Sequence, residues 1–113
     1  MAGTLKRISG PAFIANAAAN IYTPPASTIN TVIKHIHIAN VTTSAAKFTL
    51  YIGATGGSAA GTEIFKLKSV AANDTYDYFP WPGIIMTSTD FLSGLADTAS
   101  ALTITVLGDQ NVV

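Results

Sequence analysis

Apolar and polar positions alternate with a period of two along most of this chain. In Lys47-Phe48-Thr49-Leu50-Tyr51-Ile52, residues Phe48, Leu50 and Ile52 fall on one side and Lys47, Thr49 and Tyr51 on the other, the pattern of a strand with one buried face. Leu102-Thr103-Ile104-Thr105-Val106 repeats it with β-branched residues on both sides, which suit a pleated surface. Residues 31–39 form a third strand, with Val32, Ile36 and Ile38 on one face. Lys34 interrupts that face and predicts either a bulge there or a strand end close by. Shorter alternating segments lie at 4–8, 18–23, 62–68, 75–79, 84–87 and 91–95.

Turn-forming residues separate these segments: Ser9-Gly10-Pro11, Pro24-Pro25-Ala26-Ser27, the Gly/Ser-rich stretch from Gly53 to Ser58, Ala71-Ala72-Asn73-Asp74, Pro80-Trp81-Pro82-Gly83 and Asp97-Thr98-Ala99-Ser100. About eight short strands at such spacing predict an all-β chain, an antiparallel β-sandwich of jelly-roll-like form. The alanine clusters at 17–19, 45–46, 59–60 and 71–72 carry no apolar stripe of helical period and read as small-residue loops. A chain of 113 residues has room for one core. Residues 1–113 are therefore expected to form a single domain, with 1–10 as an N-terminal arm or edge strand.

Composition narrows the function. Hydrophobic residues make up 49% and charged residues 11%, so the chain buries enough apolar surface to fold. Six Lys+Arg balance six Asp+Glu, and a protein without excess positive charge lacks the means to track phosphates, so no nucleic-acid partner is expected. Few charges also leave little repulsion between copies, which favours self-association. With no cysteine there is no disulfide, thiolate nucleophile or zinc knuckle. The N-terminal residues lack the apolar run of a secretory signal. No stretch approaches the roughly 18 apolar residues of a membrane span, so no membrane partner is expected either.

The chemistry-bearing candidates are few. His35 and His37 stand at i and i+2 of a strand and project from one face, the arrangement by which cupin jelly rolls begin a metal site. The following residues, Ile38-Ala39-Asn40-Val41-Thr42, supply no carboxylate. The expectation is accordingly no metal, with the histidines as the polar face of a half-buried strand or a subunit contact. The stretch from Gly56 to Thr62 resembles a phosphate-binding loop but has Thr62 where that loop needs lysine, and Ser58 lacks the second glycine of a nucleophile elbow. The carboxylates sit mostly in or beside turns, where they cap backbone amides. Asp74 and Asp77 are close enough in sequence to suggest a glycosidase pair, yet nothing else marks a cleft. No catalytic residue, no cofactor and no enzymatic activity are expected. Tyr76, Tyr78, Phe79 and Trp81 make the one dense aromatic block, and alternation puts the two tyrosines opposite Asp77 and Phe79. Trp81 reads equally as an interface residue or as a plug at one end of the sandwich.

Several segments, taken in order, resemble the small β-sandwich virion structural proteins of tailed bacteriophages, both capsid decoration and minor tail types. They are Leu5-Lys6-Arg7 with Gly10-Pro11, residues 21–28, Ile36-His37-Ile38-Ala39-Asn40, residues 48–53, Gly61-Thr62-Glu63-Ile64-Phe65, residues 70–76 and residues 101–106. The resemblance implies a component of the virion, made in the host bacterial cytoplasm. Its expected partners are copies of itself, as a homotrimer, and the phage major capsid protein or tail proteins. Decoration of the capsid is the first expectation, with a minor tail or tail-tip component second. A receptor- or glycan-binding module using Tyr76, Tyr78 and Trp81 is a third reading, from a different class. Long apolar and aromatic side chains at strand edges cost most if left wet, which gives Leu5, Arg7, His35, His37, Tyr76, Tyr78 and Trp81 as the expected interface.

Overall fold

The computed structural model describes residues 4–25, 28–53 and 62–112, all of it strands and their connections. The strands are β1 (Thr4–Phe13), β2 (Ala19–Tyr22), β3 (Thr28–Asn40), β4 (Ala46–Gly53), β5 (Glu63–Val70), β6 (Thr75–Tyr78), β7 (Ile84–Thr87), β8 (Phe91–Ala96) and β9 (Leu102–Val112). Of the expected connections, Ala26-Ser27 and residues 54–61 of the glycine-rich stretch lie outside the described residues.

Two antiparallel sheets pack face to face. One has the order β1-β9-β3-β6, with β7 also pairing β3, and the other β2-β8-β4-β5. β6 and β7 lie end to end along β3, opposite residues 36–39 and 30–33 respectively. They share one strand position, broken between them at Phe79-Pro80-Trp81-Pro82-Gly83, where two residues without an N–H stop the ladder. With β6 and β7 counted as one position, each sheet has four, a β-sandwich as the turn spacing predicts, and the strand orders of the two sheets are those of a jelly roll.

The core lies between the layers. Ile33, Ile36, Ile38, Leu102, Ile104 and Val106 face inward from the first sheet, against Phe48, Leu50 and Leu92 of the second. Inward-pointing polar groups are matched. Gln110 Nε2 donates to the Tyr22 hydroxyl at 2.6 Å, and that hydroxyl lies 3.1 Å from Thr31 Oγ1, which ties β2 to β9 and β3 across the sheets.

β3 settles the question raised by Lys34. The register with β9 slips between Ile33 and His35, so the lysine is the extra residue of a bulge. The slip inverts the phase of the strand: Thr31 and Ile33 face inward before it, Ile36, Ile38 and Asn40 after it. Val32, expected inward, is instead half-buried, while Ile33 is fully enclosed. Lys34 swings away and donates through Nζ to Pro82 O at 2.8 Å, bracing the break between β6 and β7.

Two strands outrun their predicted ends. β1 continues through Ser9-Gly10-Pro11 to Phe13, with two register shifts absorbing the irregular residues. Gly10 makes this possible: its φ is 79°, and a Cβ there would run into the Ile104 carbonyl. β9 extends beyond Val106 because it pairs on both sides, with β1 and β3, and both partners are long.

Candidate functional site

Paired residues on neighbouring strands point to the same side, so the register assembles the outer face of the first sheet row by row. Leu5, Asp109, Val32 and Ile85 form one row, Arg7, Leu107 and His35 the next. Thr105, His37 and Asp77 follow, then Phe13, Thr103, Ala39 and Thr75. Leu5, Phe13 and Ile85 stand well exposed on this face.

At its β3–β6 side three polar side chains converge. The bulge at Lys34 turns His35 outward, two residues before His37, and His37 is directly opposite Asp77. His35 Nε2 lies 2.8 Å and His37 Nδ1 2.6 Å from the same oxygen, Asp77 Oδ1, so each ring can donate an N–H to it. The rings are 6.1 Å apart, and the Phe79 ring stacks on His35 at 4.2 Å with the planes 12° apart, which limits how far His35 can swing. All three side chains remain partly open to water, 25%, 37% and 38% exposed for His35, His37 and Asp77.

The hydrogen bond from His37, then that from His35, holds the Asp77 carboxyl below its ordinary value of 3.8. A group whose folded value is depressed adds stability above its unfolded value and loses that contribution as pH falls through the folded one. Stability curves of the wild type and Asp77→Asn should therefore draw together as pH drops below about 4. Urea midpoints taken from pH 7 to pH 2 measure this, and a constant gap across that range would show that the ionised carboxylate contributes nothing.

The third donor missing beside the histidines thus comes from a strand some 40 residues away, 40 and 42 positions for His37 and His35. Asp77 is not a turn acid. Other carboxylates do cap backbone amides: Asp74 accepts from Thr75 N, Asp90 from Thr87 N and Asp97 from Lys47 N. Asp74 is thus engaged by the amide of Thr75 and Asp77 by the histidines, so the two carboxylates have different partners.

Of the expected interface residues, Leu5, Arg7, His35 and His37 share the outer face. Tyr76 and Tyr78 do not. They turn inward, half-buried, edge-on to the Phe65 ring at 5.6 and 4.8 Å, with Lys68 Nζ 4.9 Å from the Tyr76 ring. Trp81 is 91% exposed in the β6–β7 break and plugs nothing. The exposed aromatics of the block are therefore Phe79 and Trp81, and Phe79 is the residue that alternation alone pairs with Asp77.

Elsewhere, a cavity of about 170 Å³ opens between β1 and β2, lined by Phe13, Ile14, Ile21 and Ile104 among others, with no titratable side chain. Among the described residues no helix is long and apolar enough to cross a membrane. No protein-family model, curated protein or solved structure matches this chain.

Proposed function

We propose that this chain is a non-enzymatic structural protein of a tailed-phage virion, a decoration protein that binds copies of itself and the major capsid protein through the outer face of its first sheet. The observation that carries this reading is the number of large apolar side chains left in water on and beside that face: Trp81 at 91% exposure, Phe79 and Ile85 at 67%, Leu5 at 64% and Phe13 at 55%. A chain with so few charges has little repulsion between copies, and several large apolar side chains left in water on one side of a small domain favour an interaction there. The jelly roll is used by viral capsid proteins but also by lectins and cupins, so the architecture agrees with the reading without choosing it. Glycan binding is the poorer fit, because two of the three aromatics it calls on, Tyr76 and Tyr78, pack inward.

The test is reconstitution. Purified protein added to phage shells that lack it should bind to saturation, and Trp81→Ala should weaken that binding about 30-fold, as loss of an interface anchor does. The same variant should unfold within about 0.5 kcal/mol of wild type, since the indole touches little of the fold. Saturable binding to isolated tails and not to shells would move the protein to the tail, and binding to neither would overturn the proposal.

A further inference from the structure

We infer that His35, His37 and Asp77 form a binding site for one divalent first-row transition metal ion, Zn²⁺ in the first instance, on the outer face of the first sheet. Three features point there. The donors come from two paired strands and not from a loop, so the backbone holds them in place before any ion arrives: His35 and His37 project from β3, and Asp77 stands opposite His37 on β6. Their donor atoms already crowd together, with no two more than 4.8 Å apart and both nitrogens closing on one carboxylate oxygen. Finally, the donor types select the ion. Two imidazole nitrogens and a carboxylate oxygen suit Zn²⁺, Ni²⁺, Co²⁺ or Cu²⁺, whereas Ca²⁺ and Mg²⁺ seek shells made wholly of oxygen.

Binding an ion asks the three donors to even out their spacing. A tetrahedral ion with ligand bonds near 2.0–2.1 Å sets its donors roughly 3.3 Å apart. The two short gaps to Asp77 Oδ1, 2.6 and 2.8 Å, must therefore open by roughly 0.5 to 0.7 Å, and the widest separation of the set, 4.8 Å between the two histidine nitrogens, must close by about 1.5 Å. Rotation about the side-chain bonds supplies that, while Phe79 keeps the His35 ring in its plane. The partial exposure of all three side chains lets the ion enter from solvent and leaves its remaining position to water. This placement, on the outside of the sandwich, differs from a pocket between the sheets and encloses no substrate cavity.

Metal binding changes the tautomers in a defined way. The nitrogens that face Asp77 bind the ion through their lone pairs and so carry no proton: a protonated ring releases one proton to solvent, and in the neutral ring the remaining proton sits on the other nitrogen, Nδ1 of His35 and Nε2 of His37. The chain has only two histidines, so both rings can be read individually by long-range ¹H–¹⁵N correlation spectra.

The test is titration of the metal-free full chain with ZnCl₂ by calorimetry, with the same samples followed by NMR. One ion per chain should bind with a dissociation constant on the order of micromolar, tighter than MgCl₂ or CaCl₂ by at least 100-fold. Both imidazoles should shift together and change tautomer as described. His37→Ala and Asp77→Asn should each weaken binding by at least about 10-fold, since loss of an outer-sphere partner alone does as much. The wild-type spectra decide the matter even where a variant folds poorly. No binding at about 1 mM Zn²⁺, a shift in only one ring, or affinity unchanged in well-folded Asp77→Asn would overturn the site.

Discussion

Phe48→Ala is expected to lower the free energy of unfolding by about 4 kcal/mol, enough to bring the melting temperature down by roughly 15 °C or more in a chain of this size. Phe48 is fully buried on β4, in the middle of the second sheet. Its ring meets Phe65 of β5 at 5.5 Å and reaches across the sandwich to Tyr76 of β6 at 6.1 Å. Truncation removes the transfer free energy of the ring and leaves a void that strands paired on both sides cannot close. β6 has four residues and borders only β3, so it leans on this contact more than the longer strands do. Phe79→Ala is the control: that ring is 67% exposed and touches His35, and its loss should cost less than about 1 kcal/mol. Equal destabilisation by the two variants in urea titrations would show that burial in the sandwich is not what makes Phe48 matter.

These two phenylalanines also show where the sequence is readable and where it is not. Phe48 sits in a clean alternation, and its strand is legible from Lys47 to Ile52 because one face of the sheet is buried and the other is not. The same logic finds the other eight strands to within a few residues, apart from two ends that overrun. The β1 overrun through Gly10 is hidden because glycine and proline signal a turn locally, while here a register shift against β9 keeps the strand running. At Lys34 the pattern offers a bulge or an end, and only the pairing with β9 decides between them.

The candidate site divides the same way. His35 and His37 announce themselves, since two residues apart on a strand is enough to place both rings on one face. Asp77 does not, because its position beside them depends on β6 lying next to β3, a neighbour relation that no local spacing encodes. Phe79 over His35 follows from the same adjacency. In a jelly roll nearly every strand pairs with one distant in sequence, so faces are local information and rows are not. The inward turn of Tyr76 and Tyr78 belongs to the second kind: alternation separates them from Asp77 but does not say which side is the core.

Asn40→Ala is expected to cost about 3 kcal/mol, a large effect for one side chain at the end of a strand. Asn40 closes β3 at 3% exposure and uses its whole amide. Nδ2 donates to Ser44 O at 2.9 Å and to Val70 O at 3.0 Å, while Oδ1 accepts from Thr42 N at 2.9 Å and Thr42 Oγ1 at 2.7 Å. One side chain thus folds the connection from β3 to β4 and joins the end of β3, in the first sheet, to the end of β5 in the second. Alanine leaves the buried carbonyl of Val70 without this partner, and the penalty for a stranded buried acceptor exceeds the modest net value of a hydrogen bond made. Asn40→Asp separates the two contributions. It keeps the shape and the acceptor to Thr42 but sets a carboxylate against two carbonyl oxygens, so at neutral pH it should destabilise at least as much as alanine and recover part of the loss in acid, where a protonated carboxyl can donate once. Ser44→Ala should change stability by less than about 0.5 kcal/mol, because Asn40 grips the Ser44 backbone and not its hydroxyl. Urea midpoints for the three variants at pH 7 and pH 4 make the comparison. A cost below about 1 kcal/mol for Asn40→Ala would mean that the connection and the end of β5 hold their places without it.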